Sequence, residues 1–123
     1  MAAYGMPKGT DAQQAKRHQA IQEATLNAID IPLKVAQLAH DALPLAAAMA
    51  KEGNPNSVTD AGVGAMCLRT AVMGAVLNAR INCGDLEDQA KVAEVQNICA
   101  QLVASAQSQE ADILRAVDEV MAG

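Results

Sequence analysis

The chain has 123 residues, of which 51% are apolar but only 1% aromatic, with Tyr4 standing alone and no Trp or Phe. A formal charge of −5 and a pI near 4.8 argue against nucleic-acid backbones and anionic membrane surfaces as partners, because both select clustered Lys and Arg. One domain over residues 1–123 is the expected organisation, and its apolar mass of Ala, Leu, Val, Ile and Met is helix-forming material with a small-residue core.

Residues 1–10, MAAYGMPKGT, have loop chemistry. The Thr10 to Gln13 spacing is that of a capping box and predicts a helix starting at Asp11. From there Ile21, Ala24, Ala28, Ile31, Val35, Leu38, Ala42, Leu45 and Met49 recur in steps of three and four, an amphipathic helical stripe. Pro32 and Pro44 interrupt it without shifting its phase, which predicts kinked or restarted helices ending near Gly53.

Gly53 to Asn56 reads as a turn, and Ser57 with Asp60 repeats the capping-box spacing, opening a helix to about Asn82. Between Ala61 and Leu77 that helix carries one charge, Arg69. The run is short of the roughly 20 residues of a membrane span and has its charge in the middle, so a buried helix is expected. Gly84 is positioned to close it and Asp85 to cap the next. Leu86 to Met121 then carries Val95, Ile98, Leu102, Ala106, Ile113, Val117 and Val120 at helical spacing. That segment forms one long helix or two with a break around Ser105 to Gln109. The predicted fold class is all-α, a bundle of about four long helices kinked at the prolines.

Cys67, Cys83 and Cys99 lie sixteen residues apart with no Cys-x-x-Cys pair, and His18 and His40 fall outside zinc-ligand spacing. All three cysteines are expected as small buried residues and no structural metal is expected. The start of the chain has no basic-then-apolar run, so a cytoplasmic address is the expectation.

On a helical wheel Asp60, Gly64, Cys67, Ala71, Gly74, Asn78 and Asn82 share one narrow stripe, polar at its ends and small in its middle. Each interior glycine costs a helix roughly 1 kcal/mol relative to Ala. Two readings offset that cost: another helix packs into the stripe, or a flat ligand lies there between Asp60 and the amides of Asn78 and Asn82. Arg69 and Arg80 lie on the opposite face, and each needs a carboxylate from the chain, a partner or a ligand. The free amides around Ser57 to Asp60 could hold an anion, whereas Asp60 opposes one and is also placed to act as a cap.

The run GNPNSVTDAGVGAMCLRTAVMGAVLNARIN, preceded by AAYGMPKGTD, KRHQAIQEAT and IPLKVAQLA, resembles the cyclodeaminase/cyclohydrolase family of tetrahydrofolate one-carbon metabolism over nearly the whole chain. The resemblance implies an enzyme that cyclises formimidoyltetrahydrofolate to methenyltetrahydrofolate with release of ammonia, or hydrolyses the methenyl form. It implies a tetrahydrofolate derivative as substrate, no metal, and a homodimer of helical subunits. Asp60 is the candidate proton carrier, with Asn54, Asn56, Ser57, Asn78, Arg80 and Asn82 as substrate-binding candidates. Family members open with a Pro-and-Gly-rich segment and Ala-rich helices that are not present here, so the chain looks like the C-terminal portion of a member. The alternative is therefore a catalytically inactive, truncated assembly module of the same family.

Overall fold

The computed structural model describes residues 2–123, and every long element among them is a helix: α1 Asp11–Glu52, α2 Val58–Asn82 and α3 Gln89–Ala122. Short 3₁₀ turns at Ala2–Gly5, Pro55–Ser57 and Cys83–Asp85 complete the order. The all-α class holds, with three long helices in place of about four. The difference comes from α1, where kinks or restarts at the prolines were expected, and from α3, where one helix or two stood open. Neither prolines 32 and 44 nor residues 105–109 interrupt their helices, so α1 is a single rod of about 63 Å and α3 one of about 51 Å at 1.5 Å per residue.

Local chemistry sets the first helix start as expected. Thr10 Oγ1 accepts from the Gln13 amide at 3.1 Å, and Gln13 Oε1 accepts from the Thr10 amide at 3.0 Å, which satisfies two orphan donors. At the other end Gly53 donates its amide to Met49 O at 3.0 Å, and a Cβ there would collide with that same carbonyl. Only glycine closes α1 this tightly.

The next two caps differ from expectation. Ser57 stands at the N-cap of α2, but its side chain makes no capping bond. The turn is held by Asn54, whose Oδ1 accepts from the Asn56 amide at 3.0 Å while its carbonyl accepts from the Ser57 amide at 2.9 Å. The cap of α3 is Asp88, accepting from the Lys91 amide at 3.1 Å, and not Asp85. Tertiary contacts choose it. Gln22 on α1 takes both Asp85 O (3.1 Å) and the Glu87 amide (2.9 Å), His18 meets Glu87 at 2.9 Å, and Leu86 is buried beneath them. The 83–88 connection is thereby tied to α1 before α3 can begin.

The core runs down the centre of the three helices. On α1 it is Ile29, Ala36, Leu43 and Ala50, a strict seven-residue repeat; Val58, Ala65, Val72 and Ala79 face it from α2, and Val95, Cys99, Leu102, Ala106 and Ile113 from α3. The apolar stripe read from Ile21 to Met49 is not this core row: its Ile31, Val35, Leu38, Leu45 and Met49 are exposed. Both stripes have helical spacing, but the buried one carries small residues where the helices approach closely. Periodicity alone does not distinguish them. The cysteine expectation is also corrected in part, since Cys83 and Cys99 are buried and Cys67 is exposed.

Candidate functional site

The polar stripe on α2 faces outward along the groove between α1 and α2. Gly64 and Gly74 have nothing within 4 Å of where a Cβ would sit, so no helix of this chain fills the stripe. The groove contains two hollows. One, of about 410 Å³, has Asn54, Ser57, Asp60 and Gly64 on the α2 side and Leu45 and Met49 on the α1 side. The other, of about 550 Å³, lies further along between Ile31 and Val35 of α1 and Ala71 and Asn78 of α2. Both sizes are those of small-molecule sites, with apolar walls and a few polar groups at one end.

The structure brings some of the candidates together and separates others. Asn54, Ser57 and Asp60 share the first hollow, and the Pro55–Ser57 turn delivers them there together. Asn78 belongs to the second hollow, 18 residues and so about 27 Å along the helix axis from Asp60. A ring the size of a pterin meets one end or the other. Arg80 lines a third hollow on the far side of α2, facing Gln96, Cys99 and Val103 of α3. Asn56 is exposed beyond the turn.

Asn82 has a structural engagement that the sequence did not disclose. Its Nδ2 donates to Asn78 O at 2.9 Å and to Ala28 O at 3.4 Å. Ala28 is four residues before Pro32, so its carbonyl is the one that the missing proline amide leaves without a helical partner. The side chain of α2 thus supplies a donor to the carbonyl that Pro32 leaves free. The Arg69 requirement is met within the chain, because its Nε donates to Glu110 Oε2 at 2.7 Å across the α2–α3 contact and Nη1 approaches Met73 Sδ at 3.5 Å.

A second polar cluster lies between α1 and α3, away from the groove. His40 Nε2 is 2.7 Å from Ser105 Oγ, and Gln109 Nε2 reaches Ser105 Oγ at 3.0 Å and His40 Nε2 at 3.2 Å. His40 Nδ1 contacts Asp41 Oδ1 at 3.2 Å, and this bond, with one from Gln37, holds the Asp41 carboxyl below its usual range. The sequence carried half of this signal, since Gln109 is the polar break in the apolar face of α3. Burial pushes the Cys83 and Cys99 thiols above the ordinary 9.0, which leaves them protonated and unreactive near neutrality. Among the described residues no three His, Cys, Asp or Glu side chains gather closely enough to hold a metal ion.

Residues 1–101 match the formiminotransferase-cyclodeaminase family. The methenyltetrahydrofolate cyclohydrolase of Methylorubrum extorquens is 35% identical over 105 residues, covering 82% of this chain and 50% of that protein. The formimidoyltransferase-cyclodeaminases of Rattus norvegicus and Sus scrofa are 30% and 32% identical over 118 and 114 residues, covering 96% and 93% of this chain. This chain spans about half the length of the bacterial relative and about a fifth of the mammalian ones.

Proposed function

The chain belongs to the formiminotransferase-cyclodeaminase family, and from that membership we propose that it acts on a tetrahydrofolate derivative carrying a one-carbon unit. The reaction is closure of a formimidoyl group to the methenyl bridge with loss of ammonia, or hydrolysis of that bridge. One observation carries the reading: the matched segment contains all of α1 and α2, the two helices that form the groove.

Closing the five-membered ring expels ammonia, and adding water to the methenyl carbon reopens it. Both directions move a proton at a reacting nitrogen, so both call for a proton carrier beside neutral groups that orient the ring. In this proposal Asp60 carries the proton and Ser57 and Asn54 orient the ring in the hollow they share, with the apolar walls from Leu45 and Met49 against its faces. Asn78, about 27 Å along the axis, meets only the distal part of an extended ligand.

The test follows the methenyl absorbance with 5,10-methenyltetrahydrofolate and ammonia release with formimidoyltetrahydrofolate. Turnover in at least one assay is expected. Asp60→Asn should lower kcat by roughly 10²- to 10⁴-fold with helical circular dichroism unchanged, since residue 60 is exposed in the first turn of α2. Background rates in both assays would overturn the proposal. Unchanged turnover in Asp60→Asn would remove Asp60 from it.

A further inference from the structure

We infer that Ser105, His40 and Asp41 form a second site, of serine-hydrolase type, between α1 and α3, and that it cleaves esters of short acyl groups. This proposal is independent of the folate reading and uses no residue of the α1–α2 groove.

Each member is placed by its helix. Ser105 and Gln109 are four positions apart on α3, so they share the face that meets α1. His40 of α1 lies against them, with Nε2 2.7 Å from Ser105 Oγ. On the other side of the ring Nδ1 is 3.2 Å from Asp41 Oδ1, and Gln37 Nε2 donates to the same oxygen at 2.9 Å, which fixes the carboxylate. A nucleophile within reach of a base, with that base oriented by a third group, is how such sites are recognised on unrelated folds.

The proton positions follow from what each partner can do. An ionised Asp41 carboxylate only accepts, so the imidazole proton is on Nδ1 and Nε2 keeps its lone pair. The Ser105 hydroxyl donates to that lone pair and accepts from Gln109 Nε2 at 3.0 Å. Serine and threonine inside a helix commonly return the hydroxyl to the carbonyl four residues back, as Thr25 does with Ile21 O at 2.8 Å. Ser105 gives its hydroxyl to the base on the other helix.

The cluster is open to solvent on one side, since the His40 side chain keeps 21% exposure. Gln109 also walls a hollow of about 150 Å³ with an apolar lining of Ala47, Ile113 and Ala116 and with Lys51 and Asp112 exposed at its rim. That volume is well below the roughly 300 Å³ at which drug-sized sites begin, so an acyl chain of only a few carbons fits.

The step balances with these groups and water alone. Ser105 Oγ bonds to the ester carbonyl carbon as its proton passes to His40 Nε2, and the Gln109 amide turns from Oγ to the carbonyl oxygen that gains charge. The bond to the alcohol oxygen then breaks, and that oxygen leaves with the proton from Nε2. Water attacks the acyl-serine by the same proton route, releasing the acid and restoring Ser105.

The experiment treats the whole chain with p-nitrophenyl esters and with a fluorophosphonate probe. Expected are one adduct per chain, found by peptide mass spectrometry on Ser105, and a kcat/KM for the acetate at least about tenfold above that for the octanoate. Ser105→Ala should lose the adduct and fall to the background rate. Asp41 is a positioning residue that acts through His40, so Asp41→Asn should lower kcat at least about tenfold with KM unchanged. A cluster that only joins the helices would lose stability in these variants and take no label. No adduct on Ser105 in the wild type, turnover that survives Ser105→Ala, a preference for octanoate, or an Asp41→Asn chain with unaltered kcat each overturns the proposal. The wild-type adduct needs no substitution, so it decides the matter even where a variant fails to fold.

Discussion

Gly62 and Gly64 are two positions apart on α2, and their surroundings are opposite. A methyl on Gly62 would touch Val117 at 3.4 Å and Leu114 at 3.5 Å, so that glycine is what lets α3 lie close. A methyl on Gly64 would meet nothing within 4 Å. The same division continues along the pair of helices. The inner face holds a fitted core and one ion pair, Arg69 with Glu110; the outer face holds larger apolar residues with no neighbours from this chain. Packing within the chain accounts for the inner face. It does not account for the outer one, whose two glycines lower helix propensity and whose leucines stay exposed.

The largest contrast should come from two leucines on α1. Leu43 is completely buried, and Leu43→Ala should destabilise the chain by about 2–5 kcal/mol through lost burial and a residual cavity. Leu38 is 72% exposed, and Leu38→Ala should change the unfolding free energy of a single chain by less than about 0.5 kcal/mol. Urea unfolding of both variants in dilute solution measures the contrast. Equal destabilisation by both substitutions in the dilute regime would mean that the inner and outer faces are not distinct.

That contrast also marks what the sequence disclosed. The class, the helical character of each segment and the Thr10–Gln13 cap were legible because each rests on neighbours within four residues, whereas the number of helices was not. Caps fixed by distant partners were not: Asp88 replaced Asp85 because Gln22 and His18 anchor residues 85–87 from another helix. The facing of α1 was hidden for a different reason. Hydrophobicity favours its outer row of Ile, Val and Leu, whereas close packing selects the row with Ala36 and Ala50. Of the candidate site, Asn54, Ser57 and Asp60 could be grouped from the sequence because they are close along the chain. Asn78 and Arg80 could not be sorted by spacing, since the groove in which each lies depends on which helix packs on which side of α2.

A smaller effect tests the bond that α2 makes to the Ala28 carbonyl of α1. Asn82→Ala removes the donor that reaches Ala28 O and should cost about 1 kcal/mol. The loss should shrink when Pro32→Ala is made as well, because residue 32 then donates its own amide to the same carbonyl. A double-mutant cycle by thermal unfolding measures the coupling. Additive changes would mean that the 3.4 Å contact contributes nothing and that the helix tolerates an unpartnered carbonyl at Ala28.

The smallest changes return to the glycines. Helix propensity favours Ala over Gly by roughly 1 kcal/mol in a helix interior, and neither Gly64 nor Gly74 has an atom nearby to oppose a methyl. Each Gly→Ala variant should therefore raise the stability of the single chain by somewhat under that amount. If the outer face is only solvated surface, the gain comes without loss elsewhere. If the groove is occupied, Gly64→Ala should raise KM for the proposed folate substrate, because residue 64 lines the same hollow as Asp60, whereas Gly74→Ala should leave it unchanged, because residue 74 lines neither hollow. A gain in melting temperature with KM unchanged in Gly64→Ala would leave that glycine without a binding role.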